Sequence, residues 1–207
     1  MAVTVIMAGC GSKGVVAAQP EGRSVPVMHL PAISHNDSLR FKMYYYEAVK
    51  QQISGNYDAA YDLLEHCIGI NPNAAEAYFM LSFYDGILKG DSAAFADVKK
   101  ASELNPTNNA YLERIGVGYV SMGNLDEAIK AYEKLSCNSP ERSDVLDFLA
   151  QLYSRQKDYD KMLDVLNRME ALEGASEDLT LAKMRVYSLQ GKKEEEYNEL
   201  KNMSEKH

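Results

Sequence analysis

The feature that most constrains the fold of this chain is a repeat with a period of 34 residues. Three prolines follow one another at this interval: Pro72, Pro106 and Pro140. Three tyrosines do the same: Tyr119, Tyr153 and Tyr187. The sequence Gly-Asn-Tyr-Asp-Ala-Ala at 55–60 returns after two periods as Gly-Asn-Leu-Asp-Glu-Ala at 123–128. A fixed period of this length is typical of stacked supersecondary units, none of which can bury its apolar face alone.

Each unit has the pattern of two amphipathic helices joined by a tight turn. The turns carry residues that tolerate left-handed or tight geometry: Gly55, Gly90, Gly123, Asp158 and Gly191. Small residues recur where the two helices of a unit must cross closely: Ala48, Ser82, Gly116 and Ala150 on the first helix, and Ala60, Ala94 and Ala128 on the second. We expect larger side chains to fill the layers between these crossings.

This helix–turn–helix pattern resembles the tetratricopeptide repeat (TPR) family. The resemblance implies an all-α fold, a right-handed α-α superhelix (a TPR solenoid) of about five helical hairpins. The array is predicted over residues 39–207, in units at 41–74, 75–108, 109–142, 143–176 and 177–207. The chain stops at His207, where the next residue would take the place of the repeated proline. We therefore expect a longer array, with a polar capping helix over 192–206 as the alternative.

The N-terminal residues support three interpretations. Met7-Ala8-Gly9-Cys10 resembles a bacterial lipobox, which implies a signal segment over residues 1–10 and lipidation of Cys10. The glycines of Gly9-x-Gly11-x-x-Gly14 also match a dinucleotide-binding fingerprint, although that motif requires alternating strands after it. The third interpretation is a disordered tail with an incidental thiol. Residues 11–38 contain Pro20, Pro26 and Pro31, so we predict a flexible, extended linker there.

Composition excludes several classes of function. The formal net charge is −8 and no basic cluster is visible, so nucleic acid is not an expected partner. The histidines are scattered and no CxxC motif occurs, so neither a metal site nor another cofactor is predicted. Cys67 and Cys137 lie two repeats apart, roughly 20 Å at usual helix spacings, which is too far for a disulfide.

No set of residues in the sequence has the pattern of a catalytic site. Cys67 falls where the TPR pattern has a small buried residue, and we expect an inert core thiol. The adjacent His66 cannot form a dyad with it, because neighbouring helical residues point about 100° apart. The sequence therefore predicts a protein that is not an enzyme and has no small-molecule substrate.

The resemblance implies that the first helix of each unit lines a concave groove, which would take up a peptide or helix of a protein partner. Counting along these helices gives the candidate groove residues: Tyr45, Val49, Phe79, Phe83, Glu113, Val117, Gln151, Arg155 and Arg185. The surface that they form suits an apolar or mildly basic partner. The alternative for Tyr45, Phe79 and Phe83 is packing against a neighbouring helix.

Together these features predict a non-catalytic interaction scaffold. We expect it to be tethered by a lipidated Cys10 to a bacterial envelope membrane and to face the periplasm; a cytoplasmic location is the alternative. A second hypothesis is that the chain is the recruiting or regulatory arm of a longer protein, whose catalytic or output domain lies beyond His207.

Overall fold

The computed structural model describes residues 33–205, and this part of the chain is entirely helical, without a strand. Ten helices follow one another: α1 (His35–Ile53), α2 (Tyr57–Ile70), α3 (Ala75–Leu88), α4 (Asp91–Leu104), α5 (Asn109–Ser121), α6 (Leu125–Asn138), α7 (Ser143–Gln156), α8 (Tyr159–Glu173), α9 (Glu177–Gln190) and α10 (Lys193–Glu205). Each helix contacts its neighbours in the chain, so the helices stack as five hairpins in a row. The predicted all-α solenoid is confirmed.

The first helix begins four residues earlier than predicted. Helix α1 starts at His35, because the Ser34 hydroxyl accepts a hydrogen bond of 3.0 Å from the backbone N–H of Asp37 and caps the helix. Residues 35–38 therefore belong to the array and not to the linker. The lipobox with Cys10 and the linker up to residue 32 lie outside the described residues.

The turn between α7 and α8 differs from the prediction by one residue. Lys157, not Asp158, adopts the left-handed conformation, with φ of 60°, and it is the one described residue other than glycine to do so. Lys157 lies one period before Gly191 and one after Gly123, both of which are also left-handed. Asp158 instead caps α8 by accepting from the backbone N–H of Lys161 at 3.2 Å.

The small residues lie where the pattern places them, at the crossing of the two helices of each hairpin. Ala48 and Ala60 are completely buried between α1 and α2. A Cβ atom added to Gly116 would lie 2.6 Å from Cε2 of Tyr132, so only glycine fits at that crossing. Larger buried residues continue from hairpin to hairpin, and they join the five units along a shared core.

The core changes character in the last hairpin. Lys183 occupies the position of Leu81, Ile115 and Leu149, which are buried one or more periods earlier. Its side chain is almost completely buried, and its ammonium group contacts the carboxylates of Glu170 on α8 and Glu199 on α10. At this position the last repeat therefore uses ion pairs where the second to fourth repeats use aliphatic packing.

Candidate partner-binding face

The first helices of the hairpins, α1, α3, α5, α7 and α9, carry all the candidate binding residues, and in a TPR solenoid these helices line the inner face. Aromatic side chains on α3 and α5 form its best-defined patch. The ring of Phe79 lies 4.7 Å from that of Tyr111 and 5.4 Å from that of Phe83. Phe83 is exposed, and the guanidinium of Arg114 lies 5.6 Å from the centre of its ring. The exposed end of this patch is therefore an aromatic ring paired with a cation.

Tyr45 on α1 is only half accessible. Its ring stacks on that of Phe41 at 5.9 Å, and it packs against the core shared by the first two hairpins. Burial, followed by the charges of Glu76 and Tyr111, raises the pKa of its hydroxyl. Phe79 likewise packs against buried residues of α3, α4 and α5. Tyr45 and Phe79 therefore contribute to packing as well as to the face.

Val117 lines a cleft between α4 and α5 next to this patch. The cleft has a volume of about 320 Å³, and its lining is mainly apolar. Phe95 forms its floor and lies so close to α5 that a Cβ on Gly118 would be 2.5 Å from the ring. Arg114 also lines the cleft, so the cleft and the exposed ring of Phe83 share that residue. Val49, the remaining apolar candidate, is half-buried on α1.

Glu113 is not an isolated carboxylate on this face. Arg142, in the α6–α7 loop, donates to it at 2.9 Å and also bridges to Asp144 on α7. These two carboxylates raise the pKa of the Arg142 guanidinium, and Arg142 lowers the pKa of Asp144. The bridge compensates one of these two negative charges and joins α5 to α7.

The three candidate residues on α7 and α9 are exposed and polar. Gln151 donates to Asp147 on its own helix at 2.8 Å. Arg155 and Arg185 form no ion pair with any residue in the range 33–205. The face is therefore aromatic and apolar near α3 and α5, and it presents basic side chains near its C-terminal end.

A buried acidic pair in the second hairpin was missed by the sequence analysis. Asp85 on α3 is almost fully buried, and Asp97 on α4, which is half-buried, lies beside it. Burial and the neighbouring Asp85 raise the pKa of Asp97 to about 7. Lys89 offsets the charge, with its ammonium 3.1 Å from Asp85 and 2.6 Å from the hydroxyl of Tyr61. Asp85 occupies the repeat position that is a tyrosine in the next three repeats, at Tyr119, Tyr153 and Tyr187. An acidic residue in place of this tyrosine is the sequence signal that could have indicated the pair.

Other kinds of site receive no support from the described part of the chain. Residues 33–205 contain no cluster of three or more side chains suited to hold a metal ion. None of their helices has the length and apolar character needed to cross a bilayer. Cys67 is buried, which raises its thiol pKa to about 11, and no disulfide joins it to Cys137.

Comparison with known proteins identifies the architecture. Residues 111–136 match the family model described as "Tetratricopeptide repeat". No curated protein matches the chain by sequence. The fold is similar to that of the MamA protein, with a TM-score of 0.59 and 16% identity over 79% of this chain and 90% of that one. The match and the helical hairpins support a TPR protein.

Two further solved structures are similar at comparable levels. YrrB, described as a TPR protein with an unusual peptide-binding site, has a TM-score of 0.60 and 12% identity, covering 82% of this chain and 91% of that one. A structure of Naa15/Naa10 bound to HypK-THB has a TM-score of 0.63 and 20% identity, covering 83% of this chain and 25% of that one. At these identities the likeness establishes the fold alone.

Proposed function

We propose that this protein is a non-catalytic interaction scaffold that binds an extended or helical segment of a partner along the face formed by its first helices. The observation that carries the proposal is the patch formed by Phe79, Phe83 and Arg114 beside the apolar cleft at Val117. Exposed aromatic and arginine side chains beside an apolar cleft are the usual anchors of protein interfaces. YrrB, whose fold is similar, is itself described as having a peptide-binding site.

The chemistry of the face favours a partner segment with apolar anchors. Arg142 engages both Glu113 and Asp144, so one of these two negative charges is compensated and fewer charges are left to select a strongly basic peptide. An apolar side chain of the partner would enter the cleft at Val117, and its neighbour would contact the ring of Phe83.

A peptide library displayed on phage tests the binding face directly. Peptides selected on the unmodified chain are expected to lose about tenfold or more in affinity for Phe83→Ala and for Val117→Asp, because hot-spot anchors are worth about 1–2 kcal/mol or more. Both side chains are exposed, so these changes should leave the melting temperature within about 2 °C. Leu172→Ala, an exposed apolar residue on α8, is the matched control.

The two outcomes are distinct. Loss of affinity in Phe83→Ala and Val117→Asp, with full retention in Leu172→Ala, supports the face as the binding site. Equal affinity for all the variants would show that peptides bind elsewhere on the solenoid, and the proposal for this face would then fail.

We also propose that the scaffold is held at a bacterial envelope membrane through a lipid on Cys10. The support is the sequence Met7-Ala8-Gly9-Cys10 alone. Durable attachment needs more than one acyl chain, since a single one gives only marginal membrane binding. Replacement Cys10→Ala is expected to move the protein from the membrane fraction to the soluble fraction of a bacterial host, and Cys137→Ala is the control. Unchanged membrane partition of Cys10→Ala would reject the anchor.

A further inference from the structure

The outer surface of α1 is an apolar stripe without a cover among the described residues. Leu39, Met43, Tyr46 and Ile53 recur along it at spacings of three, four or seven residues, and all are exposed. Met43 is 71% exposed. The residues at its position in the later hairpins are all buried: Ala77, Tyr111, Val145 and Leu179. Those residues are buried because each packs against the second helix of the preceding hairpin. Within the part of the chain that the structure describes, no second helix packs on the outer side of α1.

The opposite end of the solenoid has the complementary defect. On α10, Tyr197 and Leu200 are exposed, to 64% and 44%. The equivalents of Leu200 in the earlier hairpins are buried: Leu64, Val98, Tyr132 and Leu166. In those hairpins the first helix of the next unit completes the cover, and the ring of Tyr132, for example, lies 4.5 Å from that of Phe148. Among residues 33–205, no first helix packs on the outer side of α10.

The two open faces match at one pair of positions that are in contact between earlier hairpins. Phe148 covers Tyr132 in the contact between the third and fourth hairpins. Tyr46 on α1 occupies the same repeat position as Phe148, three periods earlier, and Leu200 on α10 occupies that of Tyr132, two periods later. Stacking α1 of one copy on α10 of another in the repeat geometry would therefore bring Tyr46 onto Leu200.

A polar contact joins neighbouring hairpins at two of the four junctions. Gln190 at the end of α9 donates to Asp160 on α8 at 2.8 Å, and Gln156 makes the equivalent bond to Asp126 one period earlier. At a junction between α10 of one copy and α1 of another, Glu194 would take the position of the acceptor Asp160. Ser54 would take the position of the donor glutamine.

The charges of the two helices are also opposite. Helix α1 has one more basic than acidic residue, whereas α10 has three more acidic than basic residues. The apolar stripe on α1 contains Lys50, which pairs with Glu47 at 3.3 Å but stays exposed and would face the acidic helix across the junction. This complementarity selects a contact between unlike ends, since two α10 helices would repel each other.

We propose that copies of this chain associate head to tail, with α10 of one copy packing against α1 of the next, so that the solenoid continues from molecule to molecule. Such an interface is heterologous, because two different surfaces meet. It generates a growing row of molecules or a closed ring, and not a twofold dimer. The face formed by the first helices remains available in such an assembly, so assembly and partner binding are compatible.

Blocking one end at a time tests this arrangement. Met43→Asp places a charge on the α1 face, and Leu200→Asp places one on the α10 face. All proteins are the 207-residue chain carrying Cys10→Ala, so that no acyl chain contributes to association. Sedimentation velocity from about 1 to about 200 µM reports assembly, which must depend on protomer concentration. The protein in which both faces are unmodified is expected to form species larger than dimers as its concentration rises. Each blocked variant alone is expected to stay monomeric.

Mixing the two variants gives the decisive result. Met43→Asp retains its α10 face and Leu200→Asp retains its α1 face, so an equimolar mixture is expected to form a 1:1 heterodimer and to grow no further. Leu172→Asp, at an exposed position on α8 and on neither α1 nor α10, is expected to assemble like the unblocked protein. Circular dichroism checks that each variant keeps its helical content and melting temperature.

Three results would overturn the proposal. The unblocked chain could remain monomeric at every concentration, which would mean that something else covers these faces. Leu200→Asp could still dimerise while Met43→Asp does not, which would indicate self-pairing of α1. The mixture could also fail to form the heterodimer although both variants are folded.

Discussion

The backbone of α5 at Gly116 lies directly against the ring of Tyr132 on α6. A Cβ atom at residue 116 would lie 2.6 Å and 2.9 Å from two ring carbons. The ring cannot retreat, because Tyr132 is buried and contacts Phe148 on α7 at 4.5 Å. Tyr132 packs against α5 within the third hairpin and against Phe148 of the fourth. Both contacts therefore require that residue 116 has no side chain.

Gly116→Ala is expected to destabilise the protein. The added methyl group must displace a packed ring, and overpacking of this kind costs about 1–3 kcal/mol. Gly69→Ala on α2 is the matched control, since a Cβ there meets nothing within 4 Å and alanine favours a helix by up to about 1 kcal/mol. Urea unfolding followed by circular dichroism should show a lower midpoint for Gly116→Ala and an equal or higher one for Gly69→Ala. A neutral result at Gly116 would mean that Tyr132 and Phe148 can repack.

The acidic pair Asp85 and Asp97 predicts an unusual dependence of stability on pH. The pKa of Asp97 is about 7 in the folded protein, whereas an aspartate without interactions has a pKa of 3.8. Between these two values the folded state holds a proton that the unfolded chain releases. Between about pH 4 and pH 7 the folded state therefore binds more protons, and the free energy of unfolding falls as pH rises through this window. Asp97→Asn removes the ionisation and is expected to flatten this decline.

The measurement is the melting temperature of both proteins from pH 4 to pH 8. Above pH 7, Asp97→Asn should be more stable than the parent by about 1–2 kcal/mol, since Asp97 is only partly buried and solvent screens part of the effect. Near pH 4 the two proteins should be similar. Asp62→Asn, at an exposed carboxylate on α2, is the control and should leave the profile unchanged. A parent protein whose stability does not fall between pH 4 and pH 7 would contradict the assignment.

Much of the fold could be predicted from the sequence. The 34-residue period defines the repeating hairpins, and the small residues mark where their two helices cross. Gly116 and Ala48 recur with small partners at fixed intervals, and close crossing of two helices tolerates nothing larger. The sequence placed the left-handed turn residue at Asp158 instead of Lys157. Aspartate is common both in left-handed turns and at helix N-caps, so its residue type alone does not separate the two roles. In the structure, capping by Asp158 decides between them.

The face and the buried charges were less accessible to sequence reasoning. Helical spacing places Tyr45 and Phe83 on the same side of their helices, but only the neighbouring helices determine that Tyr45 is half-buried and Phe83 exposed. Lys183 could be recognised as a departure from the aliphatic series at its position. Its contacts with Glu170 and Glu199 could not be predicted, because they depend on how three helices approach one another.

The buried Lys183 predicts a non-additive effect of mutations in the last hairpin. Replacing both partners, in Glu170→Gln with Glu199→Gln, leaves an almost fully buried ammonium group without a carboxylate and is expected to cost about 3 kcal/mol or more. Adding Lys183→Met to this double variant removes the uncompensated charge and fills the position with an apolar chain, as Leu149 does one period earlier. The triple variant should therefore be more stable than the double variant.

Because α10 is the last described helix, this loss is expected first as local opening and not as global unfolding. Hydrogen exchange should increase in α9 and α10 of the double variant, while α5 and α6 keep their protection. The exposed pair Lys130–Glu127, at 2.6 Å, is the matched control, and Lys130→Met should leave stability nearly unchanged. If the triple variant were less stable than the double variant, Lys183 would be solvated in solution, and the last hairpin would be held by its apolar contacts alone.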